Sequence, residues 1–244
     1  MVQAEPSQQL VELIGRIHAA REEEEILEIA TEGIRSILGC DRVLFYSREE
    51  TSKGKIVAES VASGLSRAMG QIIDDPCFDA WYNEKYEQGR VQALENIYEA
   101  GLSECYLEQL AKLSIQAMLA APVLGEGKLI SLLIAHQCSG TREWQPSEIE
   151  LFTQIAQQVG IALNNAKSLK DYENLQKRTD RKSRWLRFYS NIAQDPQTYL
   201  REKDLLKATV EEVRKSLDRS RFVLQSRRQY QRKNCRRISS YRVA

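Results

Sequence analysis

The chain has 244 residues, of which 42% are hydrophobic and 28% charged, with a net charge of +1; it has room for one ordinary domain and part of another, and enough apolar residues for a core. No apolar run approaches the roughly 20 residues that span a bilayer, and Met1-Val2-Gln3-Ala4-Glu5-Pro6 has neither the basic start nor the apolar stretch of a signal peptide. Five cysteines without a Cys-x-x-Cys pair argue against a disulfide framework and a zinc ribbon, so a cytoplasmic location and no metal are expected.

Leu10, Leu13, Ile14 and Ile17 recur at helical spacing over residues 7–21. A second helical pattern carries Ile26, Ile29, Ala30, Ile34 and Ile37 and stops at Gly39, with the acidic run Glu22–Glu25 suited to its first turn. Cys40–Ser47 and Lys55–Ala62 read as strands joined by the turn-rich stretch 50–54, and 64–74 reads as loop. Asp75 is a favourable N-cap and Pro76 fits the first helical position, which places Cys77 second in a helix that also carries Trp81, Tyr82 and Tyr86. Val91–Tyr98 is irregular or a short strand. Ser103 caps the next helix, again with a cysteine, Cys105, in second place, and Leu107, Leu110 and Leu113 facing inward. Gln116–Leu124 and Leu129–Gln137 form a hairpin around Gly125-Glu126-Gly127-Lys128. Ser147 is expected to cap a long helix whose apolar positions Ile149, Phe152, Ala156, Val159, Leu163 and Ala166 alternate at three and four residues. That seam suits either a second protomer or the domain's own sheet; it continues to Leu169 and Tyr172.

Cys77 and Cys105 carry the chemistry. A thiol at a helix start meets unpaired backbone N–H groups and the positive end of the helix dipole, which favour thiolate. A thiolate is the nucleophile that attaches a protein to an electrophilic cofactor. Asp75 beside Cys77 opposes ionisation while the helix start favours it, leaving a thiol poised for reversible addition. Cys40 and Cys138 sit in strand patterns and read as plain apolar residues.

Eight short segments, in order, carry a resemblance: Cys40-Asp41-Arg42-Val43, Val57-Ala58-Glu59-Ser60-Val61, Asp75-Pro76-Cys77-Phe78, Tyr86-Glu87-Gln88-Gly89-Arg90-Val91, Ile97-Tyr98, Gly101-Leu102-Ser103-Glu104-Cys105, Leu133-Ile134-Ala135-His136-Gln137 and Trp144-Gln145. Together the run from Cys40 to Leu163 resembles the bilin-binding GAF domains of cyanobacteriochromes, relatives of the phytochromes, in the subgroup with an Asp-x-Cys-Phe motif. The resemblance implies an α+β fold, a central antiparallel sheet flanked by helices, with long N- and C-terminal helices. It implies a linear tetrapyrrole, phycocyanobilin or phycoviolobilin, held by a permanent thioether to Cys105. Cys77 corresponds to the second cysteine, which adds reversibly to the central methine bridge. Asp75 matches the carboxylate that faces the pyrrole N–H groups, and His136 matches a residue of the D-ring pocket. Arg90 suits a propionate, and Trp81, Tyr86 and Tyr106 suit the pocket walls. Tyr106 stands where the family often has His.

Ile26–Ser47 aligns without gaps on Leu205–Ser226, with Leu27/Leu206, Glu32/Glu211, Arg35/Arg214, Leu38/Leu217, Arg42/Arg221 and Ser47/Ser226 matching. The organisation expected is a linker helix at 1–21, the bilin-binding GAF domain at 22–166, a linker helix at 167–202, and a truncated start of a second GAF domain at 203–244, too short to bury its sheet. Residues 1–218 hold 26 Lys or Arg against 34 Asp or Glu, a net −8, whereas beyond Asp218 there are nine basic residues and no acidic one; this tail reads as a solvated end, and no nucleic-acid partner is expected. The function expected is a photosensory module that photoconverts between blue- and green-type states, with no enzymatic activity beyond attaching its own chromophore. A homodimer through the terminal helices and a downstream kinase or chemotaxis module are the implied partners. The alternative is a GAF domain that binds a small ligand or only dimerises; a cysteine hydrolase pairing Cys77 or Cys105 with His136 lacks an orienting Asn or Asp motif.

Overall fold

The computed structural model describes residues 6–48, 53–74, 80–194 and 207–211. The chain divides into two compact units, Met1–Lys170 and Asp171–Ala244. The first contains a six-stranded sheet in the order β3-β2-β1-β6-β5-β4, every neighbouring pair antiparallel.

The helices α1 (Pro6–Ala19) and α2 (Glu23–Leu38) occupy the segments whose periodicity announces them, and α2 ends on Gly39 in the left-handed conformation, as a C-cap glycine allows. β1 (Arg42–Arg48) and β2 (Lys53–Val61) follow. Cys40 is not part of a strand: it lies in the link between α2 and β1, and Cys138 lies just beyond β6 (Lys128–Gln137). The stretch read as loop from 64 to 74 contains β3 (Ile72–Asp74), a three-residue edge strand paired with Lys53–Lys55. Its brevity gives no alternation to read. α3 (Ala80–Glu87), β4 (Gln92–Leu94), α4 (Glu104–Lys112) and β5 (Ala117–Gly125) come next. The β5–β6 hairpin turns through Glu126 and Gly127, both at positive φ, the backbone of a two-residue turn that matches strand twist.

The two faces of the sheet bury different things, because side chains alternate along a strand. Val43, Phe45, Leu119, Ala121, Val123, Leu133 and Ala135 point to one face and pack with α1, α2 and the first part of α5 (Pro146–Gln194). Leu44, Tyr46, Met118 and Leu132 point to the other, toward α3 and α4. A register shift at Phe45/Tyr46 opposes Phe45 to Ala58 and Tyr46 to Ile56. Val57 is the extra residue of this bulge, which sends Ala58 and Ile56 to opposite faces although both are even-numbered.

For α5 one expectation is corrected and one open choice is decided. Ser147 is not its cap: Pro146 is the first helical residue, where its missing N–H costs nothing, and the Glu148 side chain accepts from the Gln145 backbone N–H at 2.9 Å. The apolar seam from Phe152 to Leu163 is committed to the domain's own sheet, with Phe152, Ala156 and Val159 fully buried. A Cβ at Gly160 would collide with the Leu124 carbonyl oxygen, so this glycine sets how closely α5 approaches β5. In the second unit, α5 continues to Gln194 with Tyr172, Leu175, Leu186 and Tyr189 exposed. Of the repeat expected at 205–226, residues 207–211 are described, and they are helical. No described helix is long and apolar enough to cross a membrane.

Candidate functional site

Between the α3/α4 face of the sheet and those helices lies a cavity of about 600 Å³. Its floor is the outward set of the central strands: Leu44 and Tyr46 from β1, Met118 and Ala120 from β5, Leu132, Ile134 and His136 from β6. Its wall is α4 with the residues around it, Leu102, Ser103, Tyr106, Gln109, Leu110, Lys112 and Leu113. Tyr86 of α3 and Gln92 of β4 close one side, joined by a 3.1 Å hydrogen bond from the Tyr86 hydroxyl to Gln92 Oε1.

α4 begins where the sequence places it. Ser103 Oγ accepts from the Tyr106 backbone N–H at 3.3 Å, and Cys105 is the second helical residue. The thiol is exposed at the cavity's rim rather than in its lining. Gln109, one turn on and itself lining the cavity, donates from Nε2 to Cys105 Sγ at 3.9 Å. Tyr106 is half-buried in the wall.

His136 is 3% exposed and lies opposite Arg42 in the β1–β6 pairing. Burial, with Arg42 beside it, pushes its pKa down to about 3, so the imidazole is neutral. Its Nδ1 is buried without a hydrogen-bond partner among the described residues, a polar atom inside an otherwise largely apolar cavity. Tyr86, Tyr106 and His136 are thus brought together around one space with Cys105 at its edge. Arg90 is half-buried beyond α3 and is not among the lining residues. Asp75 and Cys77 lie outside the described residues, as does the side chain of Trp81, whose backbone belongs to α3.

Sequence reasoning missed the charged framework behind the cavity. The side chains of Arg42 and Glu59 are 0% and 1% exposed, with Nε and Oε1 2.9 Å apart. The contact lies off the N–H direction, so it is an ion pair rather than a directed hydrogen bond. Arg42 also donates to the carbonyls of Ser66 and Leu113 at 2.7 and 3.2 Å, and Glu59 accepts the backbone N–H groups of Ala68 and Met69. One buried pair therefore pins the 62–71 loop and the end of α4 to the sheet. The legible signal was opposite charges inside two neighbouring strand patterns. Asp41 Oδ2 accepts the backbone N–H groups of Cys138 and Ser139 at 2.7 and 2.8 Å; partial burial raises its pKa, but these bonds prevail and the net shift is downward. Arg142 bonds the Leu38 carbonyl, Gln137 and Glu148 and stacks 4.5 Å from the Trp144 ring, while Trp144 Nε1 donates to the Leu94 carbonyl. This corner ties the start of α5 to the residue that ends β4. Cys40, buried, has its pKa pushed up to about 12 by burial, and burial raises that of Cys138, so both thiols are held protonated.

The sequence profile of the GAF domain matches residues 22–163. The chain belongs to the GAF family. The likeness of this GAF domain to solved structures is specific: it is 37% identical to the blue-light-absorbing form of the Thermosynechococcus elongatus PixJ GAF domain, covering 71% of this chain and 96% of that one with a TM-score of 0.60. A far-red-absorbing dark state with bound biliverdin is 26% identical, covering 66% and 99%, with a TM-score of 0.61. A putative methyl-accepting chemotaxis protein of Synechocystis is 46% identical over 163 residues, 67% of this chain. The chain spans 16% of that relative's length. The fold is thus that of the cyanobacteriochrome GAF domains, close to those of PixJ.

Proposed function

We propose that this GAF domain is a photosensory module that binds a linear tetrapyrrole, phycocyanobilin or phycoviolobilin, covalently at Cys105. The observation that carries the reading is the cavity itself: about 600 Å³ of largely apolar space, of the size and lining usual for a ligand of several hundred daltons, with a nucleophilic thiol at its rim and inside it an imidazole nitrogen that has no hydrogen-bond partner among the described residues. The likeness to a blue-light-absorbing PixJ domain and to a biliverdin-bound relative supports that ligand class. When bound, the tetrapyrrole supplies light absorption and double-bond isomerisation. The residues of the chain do the rest. Cys105 makes the thioether without help from another enzyme, Tyr86 and Tyr106 wall the π-system, and His136 offers its neutral imidazole to the ligand's polar edge. Asp75 would serve the pyrrole N–H groups, Arg90 one propionate, and Trp81 a wall of the pocket. Cys77 would supply the second thiol for reversible addition to the methine bridge, its proton passing to the ligand, and so would set a blue-absorbing state against a green-type one. The signal leaves along α5 to a partner protomer and to a chemotaxis or kinase module.

The test is an absorption spectrum of the chain co-expressed with a bilin-producing pathway, before and after illumination, with zinc-enhanced fluorescence of the denatured protein on a gel. Reversible colour and a fluorescent band lost in Cys105→Ala support the reading. A colourless protein, or a Cys105→Ala variant with full covalent colour, overturns it.

A further inference from the structure

Cys105 borders the stripe of α4 that faces the cavity. Tyr106, Gln109, Leu110 and Leu113 belong to the lining, and their spacing of i, i+3, i+4 and i+7 is that of one helix face. Gln109 is half-buried in this stripe. One turn before it the thiol is exposed, and the two side chains meet, with Gln109 Nε2 donating to Cys105 Sγ at 3.9 Å. A cysteine has one rotatable bond to place its sulfur, and the staggered positions of χ1 send it in different directions. The contact with Gln109 selects the position that brings Sγ to a residue of the lining. A separate observation marks the same cavity as a ligand's place. His136, 3% exposed and part of the lining, carries a buried Nδ1 with no hydrogen-bond partner among the described residues.

Bond formation requires the reacting atoms about 3–3.5 Å apart and aligned. A ligand seated in the cavity meets the sulfur from one side, so the direction of Sγ decides how often an encounter is productive. We propose that Gln109 is the positioning residue for covalent attachment, holding Cys105 Sγ at the rim and turned toward a tetrapyrrole seated within. The inference rests on the tetrapyrrole reading and adds to it the residue that aims the nucleophile. The step it serves is an addition. The S–H bond breaks, an S–C bond forms to an electrophilic carbon of the ligand's conjugated system, and the thiol proton ends on the ligand. Nothing is oxidised or reduced and no group leaves. The carboxamide exchanges no proton in this step, so its part is geometric. Sulfur is a weak acceptor, which makes the contact a bias on the rotamer and the expected effect modest.

The experiment follows attachment to the purified apo-chain as a function of phycocyanobilin concentration, so that the limiting rate of bond formation separates from the half-saturating concentration. Alongside it, alkylation of Cys105 by iodoacetamide is read by mass spectrometry of the peptide that carries it. Iodoacetamide is small and reaches the sulfur from any side, so it reports the thiol's reactivity without its direction. Gln109→Met keeps the length of the side chain and removes the donor. It is expected to lower the limiting rate about three-fold, the dilution of one sulfur position among three staggered ones. The half-saturating concentration and the alkylation rate stay as in wild type. An unfolding midpoint matched to wild type establishes that Gln109→Met is folded. A limiting rate equal to wild type, a change confined to the half-saturating concentration, or a fall shared in equal measure by alkylation overturns the positioning role while leaving the tetrapyrrole reading intact. A wild type that attaches no phycocyanobilin overturns both.

Discussion

Cys105 and Cys77 divide the proposed chemistry by position. Cys105 sits second in a helix whose cap is visible, Ser103 Oγ on the Tyr106 N–H, and this much was legible because a capping serine and the apolar spacing of Leu107 and Leu110 are local signals. Cys77 was equally legible as a residue type, but residues 75–79 lie outside the described structure. On the reversible-addition reading, Cys77→Ala abolishes the blue-absorbing state and keeps the Cys105 thioether, which a spectrum with the zinc gel checks; a blue state that persists and bleaches on illumination refutes the role. His136 supports a prediction independent of the ligand. Its pKa falls from an ordinary value of 6.5 to about 3 in the folded chain. The unfolded chain therefore takes up a proton below pH 6.5 that the folded chain refuses, and stability declines as pH drops from 6.5 toward 3. Between pH 7 and pH 5 the loss is about 2 kcal/mol from this residue. Urea unfolding at both pH values, in wild type and His136→Gln, isolates it: the variant is expected to have the shallower decline by about that amount. Carboxylates such as Asp41 contribute to both proteins and cancel in the difference.

At the scale of elements, what was readable was what is periodic, and what was missed is what is paired across the chain. α1, α2, α4 and the β5–β6 hairpin announce themselves by spacing and caps. β3 is three residues long, and its existence depends on β2 lying beside it. The Arg42–Glu59 pair joins strands whose sequences each read as half-buried, and only the β1–β2 register puts both charges inside. Once there, neither can be lost singly, because the survivor is a buried charge without its partner. Glu59→Gln is expected to destabilise the domain by about 3–5 kcal/mol, read from the shift in urea midpoint. It also removes the charge that holds the N–H groups of Ala68 and Met69, so hydrogen exchange at those two amides should quicken beyond the global change. If the midpoint moves by less than about 1 kcal/mol, the pair is not the staple that its burial implies. The seam in α5 shows the limit of periodicity from the other side. A three-four alternation fits a partner helix and a sheet face equally well, and it is Gly160, at its closest approach to β5, that belongs to the sheet solution.

For the whole molecule, that outcome moves the expected dimer contact along α5. Val159 is fully buried, so changing it to Glu tests the core and not association. The helix beyond the domain has its own pattern. Tyr172, Thr179 and Leu186 recur every seven residues, and Leu175, Lys182 and Tyr189 do the same three residues later. Tyr172, Leu175, Leu186 and Tyr189 are 61–64% exposed, which is unusual for large apolar residues spaced as the two inner positions of a heptad. A parallel pair of such helices buries both rows, and the polar Thr179 and Lys182 in the middle fix register at some cost in stability. The expected behaviour is a concentration-dependent dimer in sedimentation equilibrium. Leu175→Glu with Leu186→Glu should make it monomeric, because each change places a charge in both chains of the seam, and should leave the unfolding transition and the colour of the GAF domain as they were. A wild type that stays monomeric at high concentration, or a dimer untouched by the double substitution, removes the paired helix from the proposed route of signal output.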